Sequence, residues 1–239
     1  MVGLDTYMFL NSESSYRQTQ ISIGEYGFLN ISQFFFQEHG LIDSECEAKV
    51  TKPEGYEKWR VKRKESFLAG RLAVRYAQYC LNLPMVDIPK GSNGSPIWPN
   101  NYTGSISHID GQAVAVLLLN SHSHIKGIGI DVEKTSHSNQ LEELDMIGRE
   151  SELQVLTDIN VEARLARLLL FSLKESVYKA LFPIVGTFFD FLDVDLISCH
   201  KNTVTFQVKR QLSDQVQKGF QLKGNFIQEQ DHLITWAYW

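Results

Sequence analysis

Four ionisable side chains in two segments have the types and spacings that suit the binding of a cation beside a phosphate. The first segment reads GIGIDVEK, and a spacing of two residues puts Asp131 and Glu133 on one face of a strand. The second segment reads FSLKESVYKAL, and a spacing of four residues puts Glu175 and Lys179 on one face of a helix. Carboxylate oxygens, completed by waters and substrate phosphates, are the ligands that Mg²⁺ usually accepts. The two segments therefore predict a site for a hard cation and a phosphate.

Each segment also has a simpler interpretation. Asp131 and Glu133 can belong to an edge strand whose carboxylates face water, which avoids the cost of burying two like charges. Glu175 and Lys179 can form an ordinary ion pair on the surface of a helix. The sequence alone leaves these alternatives open.

A basic stretch stands out in a chain whose net charge is −5. Seven basic residues and one acid, Glu65, lie between Lys58 and Arg75. Arg63 and Arg71 are eight residues apart, which places them about 80° apart around a helix. The stretch predicts a local anionic partner, and the alternative is a solvated helix face. The overall acidity argues against a general affinity for nucleic acid.

Several classes of site are absent from the sequence. There is no nucleophile elbow of the serine hydrolases, no phosphate-binding Walker loop, no dinucleotide-binding glycine pattern and no H-E-x-x-H zinc pattern. Ser107 and His108 follow a glycine in GSISH, where a hydroxyl and an imidazole suit a close approach to a phosphate. The adjacent serine and histidine do not by themselves indicate a nucleophile and its base.

The apolar patterns predict an α+β fold. Helical periods cover residues 56–82 and 161–182, and the second helix is expected to stop before Pro183. Residues 112–119 read as a strand, and TVTFQVKR, GFQLKGNF and HLITWAYW predict an antiparallel finish.

A short internal repeat predicts how the chain is organised. The run Lys-Glu-Ser occurs at residues 64–66 and again at residues 174–176, each time in a helical segment followed by strand-like sequence. We therefore expect two similar α+β halves, residues 1–125 and 126–239, packed face to face about a pseudo-twofold axis with the active site between them. Three scattered cysteines and the lack of a long apolar run predict a reduced, cytoplasmic protein without a transmembrane segment, and we expect a monomer.

Five strings in order along the chain resemble the 4′-phosphopantetheinyl transferases of the large, two-halved kind, such as the enterobactin-synthase and surfactin-type enzymes. The strings are RKESFLAGRLAVRYA, GSPIWP, GSISH, GIDVE and FSLKESVYKA, and they cover roughly residues 60–182. After GSPIWP the family commonly has an acid or a small residue and then glycine, whereas this chain has Asn100, Asn101 and Tyr102. This departure concerns the shape of the loop, not the charged residues.

The resemblance implies a Mg²⁺-dependent transfer of the phosphopantetheine arm of coenzyme A to a serine of an apo acyl or peptidyl carrier protein, with release of 3′,5′-ADP. By resemblance, the metal ligands are Asp131, Glu133 and Glu175, the catalytic residues are Glu175, Lys179 and His108, and the coenzyme A contacts are Arg63, Arg71, Lys90, Ser107, His108, Lys174 and Lys179. It also favours a siderophore or other nonribosomal peptide pathway. Two alternatives remain open: a non-catalytic module that binds coenzyme A or a carrier protein, and a Mg²⁺-dependent pyrophosphate hydrolase.

Overall fold

The computed structural model describes residues 14–23, 27–37, 42, 44–121, 124–139 and 146–239. The chain divides into two compact units, Met1–His124 and Ile125–Trp239. Both combine helices with antiparallel sheet, which confirms the predicted α+β class. Within the described residues, no helix combines the length and the apolar character that crossing a bilayer requires.

The first unit is a sheet of four antiparallel strands covered by one long helix. The sheet order is β1-β2-β4-β3, and α2 packs on β2 and β4. Its elements are β1 (Ser14–Ser22), β2 (Phe28–Phe36), α1 (Ser44–Ala48), α2 (Val61–Cys80), β3 (Tyr102–Ile109) and β4 (Gln112–Leu119).

The long helix of the first unit begins later than the sequence pattern suggests. Gly55 adopts a left-handed conformation with a φ of 76°, and the next three residues form a 3₁₀ turn, Tyr56–Lys58. The α-helical hydrogen bonds therefore begin only at Val61. This turn matters for the site, because it brings Tyr56 and Trp59 back against the first turns of α2.

The second unit is a sheet of five antiparallel strands with two helices. The sheet order is β5-β9-β8-β7-β6; α4 packs on β5 and β9, and α3 packs on α4 and β6. Its elements are β5 (Ile128–Lys134), α3 (Glu150–Thr157), α4 (Ala163–Val185), β6 (Val194–His200), β7 (Thr203–Val208), β8 (Gln221–Glu229) and β9 (His232–Tyr238).

The second long helix continues through Pro183, so the expected stop before that residue is wrong. The helix ends at Val185, and Gly186 follows in the left-handed conformation with a φ of 73°. A proline close to the end of a helix removes few hydrogen bonds, whereas a left-handed glycine reverses the chain and caps the last carbonyls. Glycine, not proline, is therefore the residue that terminates α4.

A glycine allows α4 to lie directly against β5. A Cβ atom at Gly129 would lie 1.9 Å from the carbonyl oxygen of Ser176. Because that oxygen belongs to the backbone of α4, a rotation of side chains cannot relieve the clash. Gly129 and Asp131 share a strand face, because they are at positions i and i+2 of the strand. The close contact therefore sets the distance between α4 and the carboxylate on β5.

We predict that Gly129→Ala destabilises the protein by on the order of 3 kcal/mol, because the new methyl group forces two backbone segments apart. Thermal or denaturant unfolding measures the change. Gly70→Ala is the matched control: its methyl group meets only the Cγ2 atom of Ile106, at 2.9 Å, and alanine is the better helix residue. Unfolding midpoints that are equal for the two variants would contradict this account.

Candidate active site

The first unit contains a cavity of about 500 Å³ with basic walls. It lies between the start of α2, the loop that follows this helix and strand β3. Among the described residues, no aspartate or glutamate lines it, whereas six of its lining residues are basic: Arg60, Lys62, Arg63, Arg71, Lys90 and His108. A cavity of this size with a surplus of positive charge suits a small organic anion.

Most of the cavity cations are not neutralised by carboxylates. Within the described residues, no ion pair involves Arg60, Arg63, Arg71 or Lys90. By contrast, Lys62 pairs with Asp110 at 2.8 Å. The cavity therefore keeps its positive charge in the absence of a ligand.

Arg71 is a partly buried cation of the cavity wall. Its Nε atom donates to the carbonyl oxygen of Ile88 at 2.7 Å, and its guanidinium carbon lies 4.7 Å from the centre of the Phe67 ring. Burial lowers the pKa of Arg71 to about 10, so it remains charged at neutral pH but carries a desolvation cost. A bound anion would offset that cost.

The strand residues Ser107 and His108 face opposite sides of β3. His108 is exposed and lines the cavity, where its imidazole adds to the basic wall. Ser107 is 6% exposed and does not line the cavity. The alternation of side chains along a strand separates these two neighbours.

In the second unit, Asp131 is buried between α4 and β5. Its side chain is 6% exposed; it accepts a hydrogen bond from Ser172 at 2.8 Å and pairs with Lys179 at 2.7 Å. Ser172 also contacts Thr235, the residue opposite Asp131 on β9. Strand β5 is at the edge of its sheet, but Asp131 faces the helix and not water.

Glu133 lies two residues further along β5 and is half-buried. Burial raises its pKa and the charge of Asp131 adds to this effect, whereas the hydrogen bond to His137 and the charge of Lys179 oppose it. The His137 Nδ1 atom is 2.9 Å from a Glu133 oxygen.

Glu175 completes the set of three carboxylates. Within the described part of the chain, no hydrogen bond or ion pair involves its side chain. Burial raises the pKa of Glu175; Lys179 opposes this increase, and the charges of Asp131 and Glu133 add to it. Asp131 and Glu133 are therefore close enough to Glu175 to destabilise its charged form.

The structure does not bring Lys174 to this group. Its ammonium is 1% exposed, pairs with Glu152 at 2.8 Å and donates to the carbonyl oxygens of Phe191 and Val194. These three partners use the three hydrogens that an ammonium offers. Lys174 is about 100° away from Glu175 around the helix, so it faces the core of its own unit.

Sequence reasoning missed several polar residues around the carboxylates of the second unit. Ser172, Glu175, Ser176 and Lys179 form a stripe at spacings of three and four residues along a mostly apolar helix, and that pattern was a usable signal for the two serines. Thr235 and His137 carried no such signal, because strand pairing and a 3₁₀ turn bring them to Asp131 and Glu133.

The three carboxylates have the donor chemistry that a divalent cation prefers, but their side chains are not yet arranged around one point. Carboxylate oxygens are the ligands of hard cations, and a bound cation would oppose the burial and the neighbouring negative charge that raise the pKa values of Glu133 and Glu175. Lys179 supplies positive charge to Asp131. Among the residues described, however, no three His, Cys, Asp or Glu side chains form a group that could already hold a metal ion.

Two family models match the chain, one in each unit. Residues 52–118 match the 4′-phosphopantetheinyl transferase N-terminal domain. Residues 127–237 match the 4′-phosphopantetheinyl transferase superfamily. The basic cavity thus falls within the first match and the three carboxylates within the second.

Curated relatives agree with these matches. The chain is 36% identical over 132 residues to the 4′-phosphopantetheinyl transferase Npt of Nocardia iowensis, covering 54% of this chain and 57% of the relative. It is 37% identical over 144 residues to enterobactin synthase component D of Escherichia coli, covering 60% and 66%. It is 31% identical over 136 residues to the 4′-phosphopantetheinyl transferase PptT of Mycobacterium tuberculosis, covering 56% and 58%.

The matched part of the chain spans about half to two thirds of the length of these relatives. The family assignment follows from matches in both units that agree with each other and with the arrangement of charged side chains. The chain belongs to the 4′-phosphopantetheinyl transferase superfamily.

Proposed function

We propose that this protein transfers the 4′-phosphopantetheine arm of coenzyme A to a serine of an apo carrier protein and releases 3′,5′-ADP. The observation that carries the proposal is the separation of charge: a cavity with uncompensated cations in one unit and three partly buried carboxylates in the other. The cationic cavity suits a nucleotide that bears several phosphates. The three carboxylates suit a reaction that needs a hard cation. The face-to-face packing of the two halves, with the active site between them, stays a prediction.

The cations of the first unit would bind the phosphates of coenzyme A. Arg63, Arg71, Lys90 and His108 all line the cavity. An anion there gains charge-assisted hydrogen bonds with Arg63, Arg71 and Lys90, which form no ion pair within the described residues. Fixed cations also hold the substrate in one orientation, which lowers the entropic cost of reaction. The position of Ser107 does not support direct contact with this cavity.

The second unit would supply the proton transfers. Glu175 has a raised pKa and no partner among the described residues, which suits a group that accepts the proton of the carrier serine, directly or through a water. Lys179 lies against Asp131 and presents a positive charge near the same place. It would stabilise the negative charge that develops on the leaving phosphate.

Asp131, Glu133 and Glu175 would hold Mg²⁺. When bound, the ion would act as a Lewis acid on the pyrophosphate and stabilise the leaving group. Lys174 is not part of this proposal, because its ammonium is used in the core.

The Escherichia coli relative bears the name enterobactin synthase component D, so we propose a carrier of a nonribosomal peptide pathway, such as siderophore synthesis, as the acceptor. The cytoplasmic location and the monomeric state stay predictions. A pyrophosphate hydrolase would use the same carboxylates, but nothing in the structure favours water over a carrier serine as the nucleophile.

The direct test is mass spectrometry of apo carrier proteins incubated with the protein, coenzyme A and Mg²⁺. We expect each modified carrier to gain one phosphopantetheine group, with one 3′,5′-ADP released. Asp131→Asn should abolish transfer, because it removes the charge that pairs with Lys179 and one predicted cation ligand. Asp131 is also part of a buried network, so circular dichroism must show that the variant is folded.

The other functions give different results in the same assay. Release of 3′,5′-ADP without a carrier identifies a hydrolase, and binding of coenzyme A without either product identifies a non-catalytic module. Transfer at the wild-type rate by folded Asp131→Asn protein would overturn the assignment of the carboxylates.

Arg71→Ala should raise the dissociation constant for coenzyme A by at least about tenfold, because a buried charged hydrogen-bond donor is lost. Titration calorimetry measures the change, and high salt should narrow the difference from the wild type. Arg75→Ala is the control, since Arg75 is on the same helix, pairs with Asp87 and does not line the cavity. Equal affinities at low salt for the Arg71 variant and the wild type would contradict a phosphate-binding role.

Glu175→Gln should raise the melting temperature at neutral pH in the absence of divalent ions. The raised pKa means that the folded state binds the Glu175 proton more tightly than the unfolded state, so ionisation above that pKa costs stability. The increase in melting temperature should vanish at a pH below the pKa of Glu175 in the unfolded protein, because Glu175 is then protonated in both the folded and the unfolded state. Adding Mg²⁺ should stabilise the wild type more than the variant; a lower melting temperature for the variant at neutral pH would count against this electrostatic account.

A further inference from the structure

Three aromatic rings in the first unit form a cluster beside the basic cavity, and we call them the aromatic triad: Tyr56, Trp59 and Phe67. The ring centres of Tyr56 and Trp59 are 5.5 Å apart, and those of Trp59 and Phe67 are 5.6 Å apart with an edge-to-face geometry. Tyr56 and Phe67 are 6.1 Å apart. Such contacts fix the rings relative to one another.

Every ring of the aromatic triad carries a cation. Trp59 carries two, since the Arg63 guanidinium carbon is 4.2 Å and the Lys90 Nζ atom 5.1 Å from its ring centre. Arg71 lies over Phe67 at 4.7 Å, and Lys64 lies over Tyr56 at 5.0 Å. All four distances are within the range of a favourable cation–π interaction.

The spacing along the chain explains most of this arrangement. Trp59, Arg63, Phe67 and Arg71 follow one another at intervals of four residues. Arg63, Phe67 and Arg71 therefore lie near one face of α2, whereas Trp59 precedes the helix and packs its ring edge-to-face on Phe67. Lys90 reaches the same Trp59 ring from the loop that follows the helix. Trp59 is therefore the residue at which cations from two separate segments meet.

An aromatic ring and a carboxylate attract a cation in different ways. The ring attracts the cation through its quadrupole but has no net charge, so the charge of the cation remains available to an anion. Lys62, paired with Asp110, shows the other arrangement in the same unit. Positioning by rings thus gives ordered cations and an electropositive cavity at the same time.

We propose that Trp59 is the positioning residue of the anion site, holding Arg63 and Lys90 in place for a phosphate of the nucleotide. Trp59 lines the cavity and is only partly buried, so it is in reach of the ligand as well as of both cations. The inference rests on the proposed function, because the anion is taken to be the 3′,5′-ADP portion of coenzyme A.

The test compares variants that keep or remove the ring. Trp59→Phe keeps an aromatic face, whereas Trp59→Leu and Trp59→Met fill part of the space without one. Trp98→Leu is the matched control, because it removes an indole from the same unit that does not line the cavity. The readouts are the dissociation constant of 3′,5′-ADP by calorimetry, its dependence on salt, and KM and kcat for coenzyme A.

We expect the variants without a ring to raise the dissociation constant of 3′,5′-ADP and the KM for coenzyme A by roughly five- to tenfold. The kcat at saturating coenzyme A and the KM for the carrier should not change. Trp59→Phe should remain within about threefold of the wild type, since phenylalanine has the weaker quadrupole, and Trp98→Leu should match the wild type. The salt dependence of Trp59→Leu should equal that of the wild type, because no charge is lost, whereas Arg63→Ala should reduce it.

The outcomes separate this inference from the proposed function. A wild-type protein that neither binds 3′,5′-ADP nor modifies a carrier overturns the proposed function. A wild-type protein that does both, together with a folded Trp59→Leu or Trp59→Met variant of unchanged affinity, overturns the positioning role alone. Loss of affinity in Trp59→Phe as large as in Trp59→Leu also overturns it, because the aromatic face would then not be the cause.

Discussion

The interaction of the Asp131 carboxylate with α4 is the one on which the second unit depends. It is buried on an edge strand, where an unpaired charge is costly, and Lys179 and Ser172 from α4 supply the compensating charge and hydrogen bond. The contact at Gly129 makes this possible by letting the helix approach the strand without a side chain between them. The polar contacts of Asp131 and the absence of a side chain at Gly129 thus fix the position of the helix that carries Glu175.

The two units hold their charged groups by different physical means. In the first unit, aromatic rings order several cations without neutralising them. In the second unit, Lys174 and Glu152 neutralise each other in the core, whereas burial, with a smaller contribution from neighbouring carboxylates, raises the pKa values of Glu133 and Glu175. Within the described residues, Glu175 and the cavity cations Arg63, Arg71 and Lys90 have no ion-pair partner, which is the pattern expected where a bound ligand supplies the missing charge.

The chemistry of the candidate site was readable from the sequence because it depends on local spacing. Strand alternation put Asp131 and Glu133 on one face, and helical spacing put Glu175 with Lys179 and Arg63 near Arg71. The same local rules give the α+β class and the strand at residues 112–119, which is confirmed as β4. Even the alternation of Trp59, Arg63, Phe67 and Arg71 was present in the sequence as a four-residue interval, although its meaning was not evident there.

The sequence by itself therefore determined which side chains share a face of one element, since the geometry of a helix or strand fixes that. Only the tertiary structure decided which faces meet. It turned Lys174 into the core beside Glu152 and brought Thr235 and Ser172 to Asp131. It also drew Lys90 to Trp59 across the loop that follows α2. These outcomes depend on packing between residues far apart in the chain, where burial and hydrogen bonding of the whole unit outweigh any local preference.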